Sequence, residues 1–288
     1  MMRLRHPILS WLFVLPAAIG VFAFILLPVV VAFGLSLTNW EIVGSHDFIG
    51  LKNYETLFTG DALWNSLFVT LLFTLMSVPL GIALGLLLAI QLNKMFPGLT
   101  LFRVIVVIPW VCAPVAIGVV WKWIYQPTYG ALNALLGTRI EWLSSHTLAL
   151  PAVAFVAVWQ AVGYNALFYQ AGLQKIPPSI YEAAELDGAG SIRRFFAITL
   201  PLLNPTTFFV ALTQMVASFQ VFDTVYSLTG GGPGNSTQVI ASLIYNEAFG
   251  AGRLGRAGAV AVILFVILAA LSFIQQRFFS SRITYDMS

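Results

Sequence analysis

Residues 179–201 read Ser-Ile-Tyr-Glu-Ala-Ala-Glu-Leu-Asp-Gly-Ala-Gly-Ser-Ile-Arg-Arg-Phe-Phe-Ala-Ile-Thr-Leu-Pro, the longest helical pattern with polar residues in a chain of mostly apolar runs. Pro177 and Pro178 close whatever helix precedes it, because proline lacks an amide hydrogen and disfavours a helical residue ahead of it. Ser179 and Glu182 stand at the S-x-x-E spacing of a capping box, which predicts a helix starting at Ser179. Gly188 and Gly190 then offer a turn, and Ser191 is placed to cap a second helix. In that second helix Ile192, Phe195, Phe196 and Thr199 fall at i, i+3, i+4 and i+7, so they are expected to share one apolar face. Pro201 marks where the next apolar run begins. The pattern is a short helix–turn–helix outside the bilayer, with Glu182, Glu185, Asp187, Arg193 and Arg194 within a few turns. It is either a solvated connector or a docking element whose apolar face and mixed charges fit a partner's groove.

The composition around this stretch names its solvent. Of 288 residues, 59% are hydrophobic and only 9% charged, against roughly 25% charged in soluble domains. No water-soluble core absorbs that much apolar surface, so the bilayer is the expected medium. The net charge of +3 is small and spread along the loops, which does not suggest nucleic acid. Cys112 is the only cysteine, so no intrachain disulfide is possible, and it reads as a small buried apolar residue. His6, His46 and His146 lie far apart without metal-ligand spacing, and no metal site is expected.

Six apolar runs divide the chain, at about 9–37, 64–92, 101–123, 147–173, 202–228 and 257–275. The first is longer than the apolar core of a signal peptide, about 7–15 residues, and is read as a retained span. Pro16 and Pro28 should bend it or mark its ends. Residues 38–63 form a mixed polar loop. Pro79, Gly81 and Gly85 lie in the second run, where small residues allow close helix approach. Pro109 and Pro114 predict a kinked or broken third span. Residues 230–234, Gly-Gly-Gly-Pro-Gly, read as a flexible turn. No internal repeat or linker shows, so the economical expectation is an all-α membrane protein, one six-helix domain over residues 1–288 with the polar element at 179–200.

Charge orients this arrangement. With a cytoplasmic N-terminus the inner segments hold Arg3, Arg5, Lys94, Arg103, Lys175, Arg193, Arg194, Arg277 and Arg282, and the outer ones Lys52, Lys122, Arg139, Arg253 and Arg256. Nine against five favours both termini and the 179–200 element inside. Polar groups at membrane depth are costly unless they face protein or a wet path. Gln160, Tyr164 and Asn165 in the fourth run, and Gln214, Ser218, Gln220 and Asp223 in the fifth, are therefore either interhelical hydrogen-bonding groups or a translocation path suited to sugar hydroxyls. Gln160 and Tyr164, at i and i+4, share a face, whereas Ser218 and Gln220 point in different directions. Tyr164 and Phe219 are the rings available to stack on a sugar. Asp223 is expected near the outer surface, as a gate or loop anchor. No G-x-x-x-x-G-K-[ST] occurs, and no catalytic triad, carboxylate pair or nucleophile elbow can be placed, so no enzyme is expected.

The residues Glu182-Ala183-Ala184, Asp187-Gly188-Ala189, then Ile198, Leu200 and Pro201, resemble the EAA loop of ABC importer permeases. The resemblance implies a type I importer permease in which Glu182, Ala183, Ala184, Asp187 and Gly188 belong to a coupling helix seated in a cleft of a cytoplasmic ATPase. Residues 218–223, Ser-Phe-Gln-Val-Phe-Asp, and 228–233, Leu-Thr-Gly-Gly-Gly-Pro, are similar to the carbohydrate branch, with its MalF-type and UgpA-type members. Residues 48–54, with Asn53-Tyr54, agree. The first loop, about 26 residues, leaves out the large outer domain of the maltose permease. The resemblance further implies a heterodimer with a second permease, two copies of an ABC ATPase that carry the ATP and magnesium, and an extracytoplasmic solute-binding protein. The setting implied is a bacterial or archaeal inner membrane. The substrate implied is a sugar or sugar-like solute. An importer for glycerol 3-phosphate or a glycerophosphodiester is the near alternative: the spans show no arginine pair for a phosphate, though Arg253 and Arg256 leave room. An ion-coupled secondary transporter is the distant one, and it would need intramembrane carboxylates and repeat symmetry.

Overall fold

The computed structural model describes residues 7–44, 46–94 and 98–280. Arg3, Arg5, His6, Arg282 and Asp286 lie outside the described residues. Among the described residues regular structure is helical, and the extended contacts are two isolated bridges, Thr38 with Phe48 and Glu41 with Arg253. Four helices among the described residues are long and apolar enough to cross a membrane: Phe13–Ser36, Asp61–Leu92, Ala149–Leu173 and Leu254–Arg277. Two bent pairs, Leu99–Val111 with Pro114–Ile124 (97°) and Ser191–Leu202 with Asn204–Phe219 (66°), bring the number to six if each pair is one span. The chain falls into two compact units, residues 1–63 with 243–266, and residues 64–242 with 267–288.

In the first unit the N-terminal helix runs Pro7–Val21, widens to a π turn over Phe22–Leu26, and continues as Leu27–Ser36. Pro16 passes without a break. Pro28 removes the donor that the residue 24 carbonyl would use, and the wider turn just ahead of it accommodates the ring. The helix ends against Asn53. The Asn53 Nδ2 donates to the carbonyls of Ser36 and Thr38, both at 2.9 Å, and Tyr54 Oη donates to Ser36 Oγ at 2.8 Å. Ser36 closes the helix and Thr38 lies two residues past it, so both carbonyls fall outside the helical ladder, and the Asn53-Tyr54 pair in the first loop acts as a C-terminal cap. That loop is also more ordered than its polarity predicts, since Lys52–Thr59 is a helix. The last long helix meets the end of the first through glycines: a Cβ at Gly255 would collide with the Thr38 carbonyl, and one at Gly258 would lie 3.0 Å from the Ala32 carbonyl. Glu247 is buried and faces both Arg253 Nε at 3.1 Å and Arg256 Nε at 3.6 Å. The arginines that left room for a phosphate are thus engaged by a carboxylate.

In the second unit two apolar clusters hold the helices. One gathers Phe73, Val153, Val156, Val225 and Leu228; the other gathers Leu86, Leu92, Tyr169, Leu173, Leu203 and Val210. The third span breaks at Cys112–Ala113, because Pro114 cannot continue the ladder and starts the next helix instead. Cys112 at this break is half-exposed, not buried as expected. The fifth span departs from the continuous run over 202–228. It starts at Asn204, after helix that runs through Pro201 and bends at Leu203, and it ends at Phe219. Phe222 leaves helical geometry (φ −135°, ψ −57°) and a separate helix, Asp223–Leu228, follows. That change of direction brings Val225 and Leu228 into the core and Ser227 over Gly118, where no Cβ fits. The glycine-rich stretch is tied down rather than loose: Thr229 and Thr237 hydroxyls lie 2.7 Å apart, and Thr237 Oγ1 donates to the Gly232 carbonyl at 2.7 Å.

Candidate functional site

Two places in the second unit combine polar residues with a geometry that bears on function. The first is the helix–turn–helix at 178–202. Its first helix is Pro178–Leu186 and begins one residue earlier than the capping box predicts, with Pro177 as N-cap and no side-chain cap bond. Proline at the first helical position has its φ pre-set and needs no hydrogen-bond partner, so Ser179 falls inside the helix and caps nothing. Ser191 likewise opens the second helix, behind Gly190 as N-cap. The turn between the helices is set by Gly188. Its φ is +76°, the Ala189 N–H donates to the Ala184 carbonyl at 2.9 Å, and the Gly188 N–H donates to the Glu185 carbonyl at 3.0 Å. This is the paired 6→1 and 5→2 bonding of a Schellman motif, which places a left-handed residue just past the helix end.

The expected single apolar face of the second helix splits in two. Phe195 and Thr199 turn inward, Thr199 being buried, while Ile192 and Phe196 face out at 75% and 62% exposure. The backbone over Phe195–Thr199 is a π turn, whose wider pitch shifts residues that would be in line on an α-helix. The outward Ile192 and Phe196 line a shallow groove of about 650 Å³ with Gly190 and Arg193, and Leu186 at the end of the first helix is 90% exposed. Glu182, Ala183, Asp187 and Gly188 are exposed, and Ala184 is half-buried. The element is braced from beneath. Arg194 pairs with Glu185 at 2.8 Å, linking its two helices, and Tyr181 and Thr199 hydroxyls meet at 2.9 Å. Tyr181 and Phe195 pack on the cluster of Leu173, Leu203 and Val210. An exposed ion pair contributes only about 0.2–1 kcal/mol, so the value of Glu185–Arg194 is chiefly in fixing the angle between helices.

The second place is a cleft of about 230 Å³ where spans two to five meet. Its polar lining is Ser77, Gln160, Gln214 and Ser218, with Trp110 as the indole and no charged side chain. Gln160 reaches the Pro109 carbonyl at a long 3.5 Å, a last-turn carbonyl of the broken span. Tyr164 sits beside this region, stacked on Trp110 with centroids 4.5 Å apart. Asn165 is fully buried and ties three spans: its Nδ2 donates to the Gly81 carbonyl at 3.1 Å and its Oδ1 accepts from Gln214 Nε2 at 2.8 Å. Gly81 and Gly85 make room for it, since a Cβ at Gly85 would stand 2.6 Å from the Asn165 Cβ. Of the sequence candidates, the structure therefore brings Gln160, Gln214 and Ser218 to one cleft and Tyr164 and Asn165 to its border. Phe219 is buried elsewhere, and Gln220 and Asp223 are exposed and line no part of it.

Ser77 and Trp110 were not singled out in the sequence, although a signal for the first exists. Ser66, Thr70, Thr74 and Ser77 recur at helical spacing in span two, and all four are buried. Thr70, Thr74 and Ser77 return their hydroxyl protons to carbonyls four residues back, which makes hydroxyls tolerable in an apolar span. Their oxygens remain able to accept: Thr70 Oγ1 takes the Ile240 N–H at 2.9 Å, and Thr74 and Ser218 hydroxyls lie 2.9 Å apart.

Residues 81–285 match the family described as binding-protein-dependent transport system inner membrane component. Over 285 residues the chain is 36% identical to the sn-glycerol-3-phosphate transport system permease protein UgpA of Agrobacterium fabrum, covering 97% of each. It is 34% identical to the trehalose/maltose transport system permease protein MalF of Thermococcus litoralis, over 95% of this chain and 94% of that one. In three dimensions it resembles a chain of a bacterial ABC transporter involved in the import of the acidic polysaccharide alginate, with TM-score 0.82, 22% identity and 95% of each chain covered.

Proposed function

The chain belongs to the binding-protein-dependent transport system inner membrane component family, and we propose that it is the membrane-spanning subunit of an ATP-driven importer for a neutral sugar or sugar-like solute. In this reading residues 1–288 form one six-span permease domain in the inner membrane with both termini in the cytoplasm. The chain pairs with a second permease, receives solute from an extracytoplasmic binding protein, and leaves ATP hydrolysis, with its magnesium, to two copies of an ABC ATPase. The carrying observation is the element at 178–202: it exposes Leu186, Ile192 and Phe196 together with Glu182 and Asp187, on a base fixed to spans four and five.

Such a base converts a push into a tilt. The ATPase closes on ATP and carries these exposed residues with it. The Glu185–Arg194 and Tyr181–Thr199 links keep the element rigid, so displacement passes through Tyr181 and Phe195 to Leu173 and Leu203. Spans four and five then exchange between inward- and outward-open states, whose balance the nucleotide sets by binding one better than the other. Glu182 pairs with a basic ATPase residue at the joint. The solute passes the cleft of Gln160, Gln214, Ser77 and Ser218, where amides and hydroxyls match sugar hydroxyls and Trp110 and Tyr164 offer ring faces. The uncharged lining favours a neutral solute over a phosphate ester, and Arg253 and Arg256 already face Glu247. The test is uptake by the assembled transporter in proteoliposomes. Glu182→Lys should abolish ATP-driven sugar uptake while the chain still inserts; wild-type uptake would remove the coupling role.

A further inference from the structure

Span three carries a groove on the outside of the helix Leu99–Val111 that neither the coupling element nor the cleft accounts for. It holds about 420 Å³, is lined by Val104, Val107, Ile108, Val111 and Leu167, and ends at Arg103 on one side and Cys112 on the other. Arg103 spends one donor on the Leu92 carbonyl, at 3.1 Å, and its Nε is buried without an acceptor among the described residues. Gln170 donates to the same carbonyl at 3.0 Å. Arg103 therefore sits at the end of the spans where Leu173 leads into the coupling element, the end that carries Lys94, Lys175 and Arg193.

We propose that this groove is a binding site for an anionic phospholipid of the cytoplasmic leaflet, headgroup at Arg103 and one acyl chain along the valines. Three observations carry it. A guanidinium has five donors in a fork that suits phosphate, and Arg103, half-exposed at the mouth of the groove, spends only its Nη2 on the Leu92 carbonyl. From Arg103 to Cys112 the chain advances nine residues, about 14 Å of helix, close to half of a ~30 Å hydrocarbon core. One acyl chain of one leaflet thus fits from the surface to the break in span three. Between Arg103 and Cys112 the lining is aliphatic and carries no carboxylate, and basic pockets between spans on the cytoplasmic side suit anionic headgroups. The inference uses the membrane placement proposed above but not the identity of the transported solute.

The test uses the assembled transporter in liposomes that contain a diazirine-tailed phosphatidylglycerol or a phosphatidylcholine with the same tail, with cross-links on residues 99–112 read by mass spectrometry. The phosphatidylglycerol probe should label Val104–Cys112 about five-fold more than the phosphatidylcholine probe, the preference expected of one surface cation. Arg103→Gln should bring the two to parity, Arg103→Lys should keep most of the difference, and Val107→Trp should block both probes. If Arg103→Gln does not accumulate, the lysine and tryptophan variants still decide the matter. Equal labelling by both probes in the unaltered chain would overturn the proposal. So would cross-linking of this segment to the second permease in place of lipid, which would make the groove a protein interface. Neither result would touch the coupling role, whose failure shows in uptake alone.

Discussion

Replacing Gly188 with alanine tests the joint between the two helices of the 178–202 element through the backbone alone. Gly188 has φ +76°, and a Cβ built on it meets nothing within 4 Å. Two residues on, Gly190 also has open space for a Cβ, but its φ is −64°. The two glycines thus differ in conformation and not in room. Alanine in the left-handed region costs about 1–2 kcal/mol, a factor of about 5–30 in an equilibrium. If docking onto the ATPase requires the Schellman turn and the undocked element can relax it, Gly188→Ala should weaken docking by up to that factor. Gly190→Ala should change it by about two-fold or less. Asparagine tolerates the left-handed region, so Gly188→Asn should restore much of the loss. The assay is the affinity of purified ATPase subunits for the solubilised permease, with ATP-driven uptake alongside. Wild-type docking by Gly188→Ala would refute the reasoning. Equal loss in Gly190→Ala would show that contact with the partner, and not φ, decides the position.

Other substitutions probe the frame that holds the two sites. Asn53→Ala leaves the Ser36 and Thr38 carbonyls without their donor and should cost about 1–3 kcal/mol, seen as a lower Tm; an unchanged Tm would deny the cap. Asn165→Leu removes the tie among spans two, four and five and strands the Gln214 amide, again at about 1–3 kcal/mol. A drop in Tm matched by Gln214→Leu, with little added in the double variant, would mark the pair as one unit, and full additivity would count against it. Glu247→Gln leaves Arg253 and Arg256 facing an uncharged group in a buried spot. It should destabilise by about 1–3 kcal/mol, less than a wholly buried pair because Arg253 reaches water. If instead stability holds and transport of an anionic solute falls, those arginines act on the solute.

What the sequence disclosed depended on whether a property was local. The π turn ahead of Pro28 and the break at Pro114 follow from a missing donor, which the residue type shows. The turn at Gly188 was visible as a turn, though its left-handed φ and double hydrogen bond were not. The capping box failed because two acceptable starts compete, and Pro178 pre-empts Ser179 by fixing φ one residue earlier. The apolar face of the helix after Gly190 was misjudged because a 3.6-residue period was applied across a π turn, which leaves Ile192 and Phe196 exposed. The translocation candidates were chosen as costly polar groups in apolar runs, and that criterion cannot separate a group that lines a cleft from one that ties helices together. Gln160, Gln214 and Ser218 do both, lining the cleft while bonding to Pro109, Asn165 and Thr74, whereas Asn165 only ties helices. The glycine contacts at Gly163 against the Val106 carbonyl and at Gly255 against Thr38 need the partner helix in place before they mean anything.

The claim that matters most is that the exposed Leu186, Ile192 and Phe196 seat in the ATPase, and a cysteine can ask this directly. Cys112 is the only native thiol, so Cys112→Ser gives a clean background for Ile192→Cys. In the assembled transporter a short cross-linker with a maleimide at one end and a photoactivated diazirine at the other should join residue 192 to the ATPase subunit, with a yield that changes when ATP is added. A membrane-impermeant maleimide should reach it in inside-out vesicles and not in intact cells. Labelling from outside intact cells, or an assembly in which no ATPase is captured, would contradict the account.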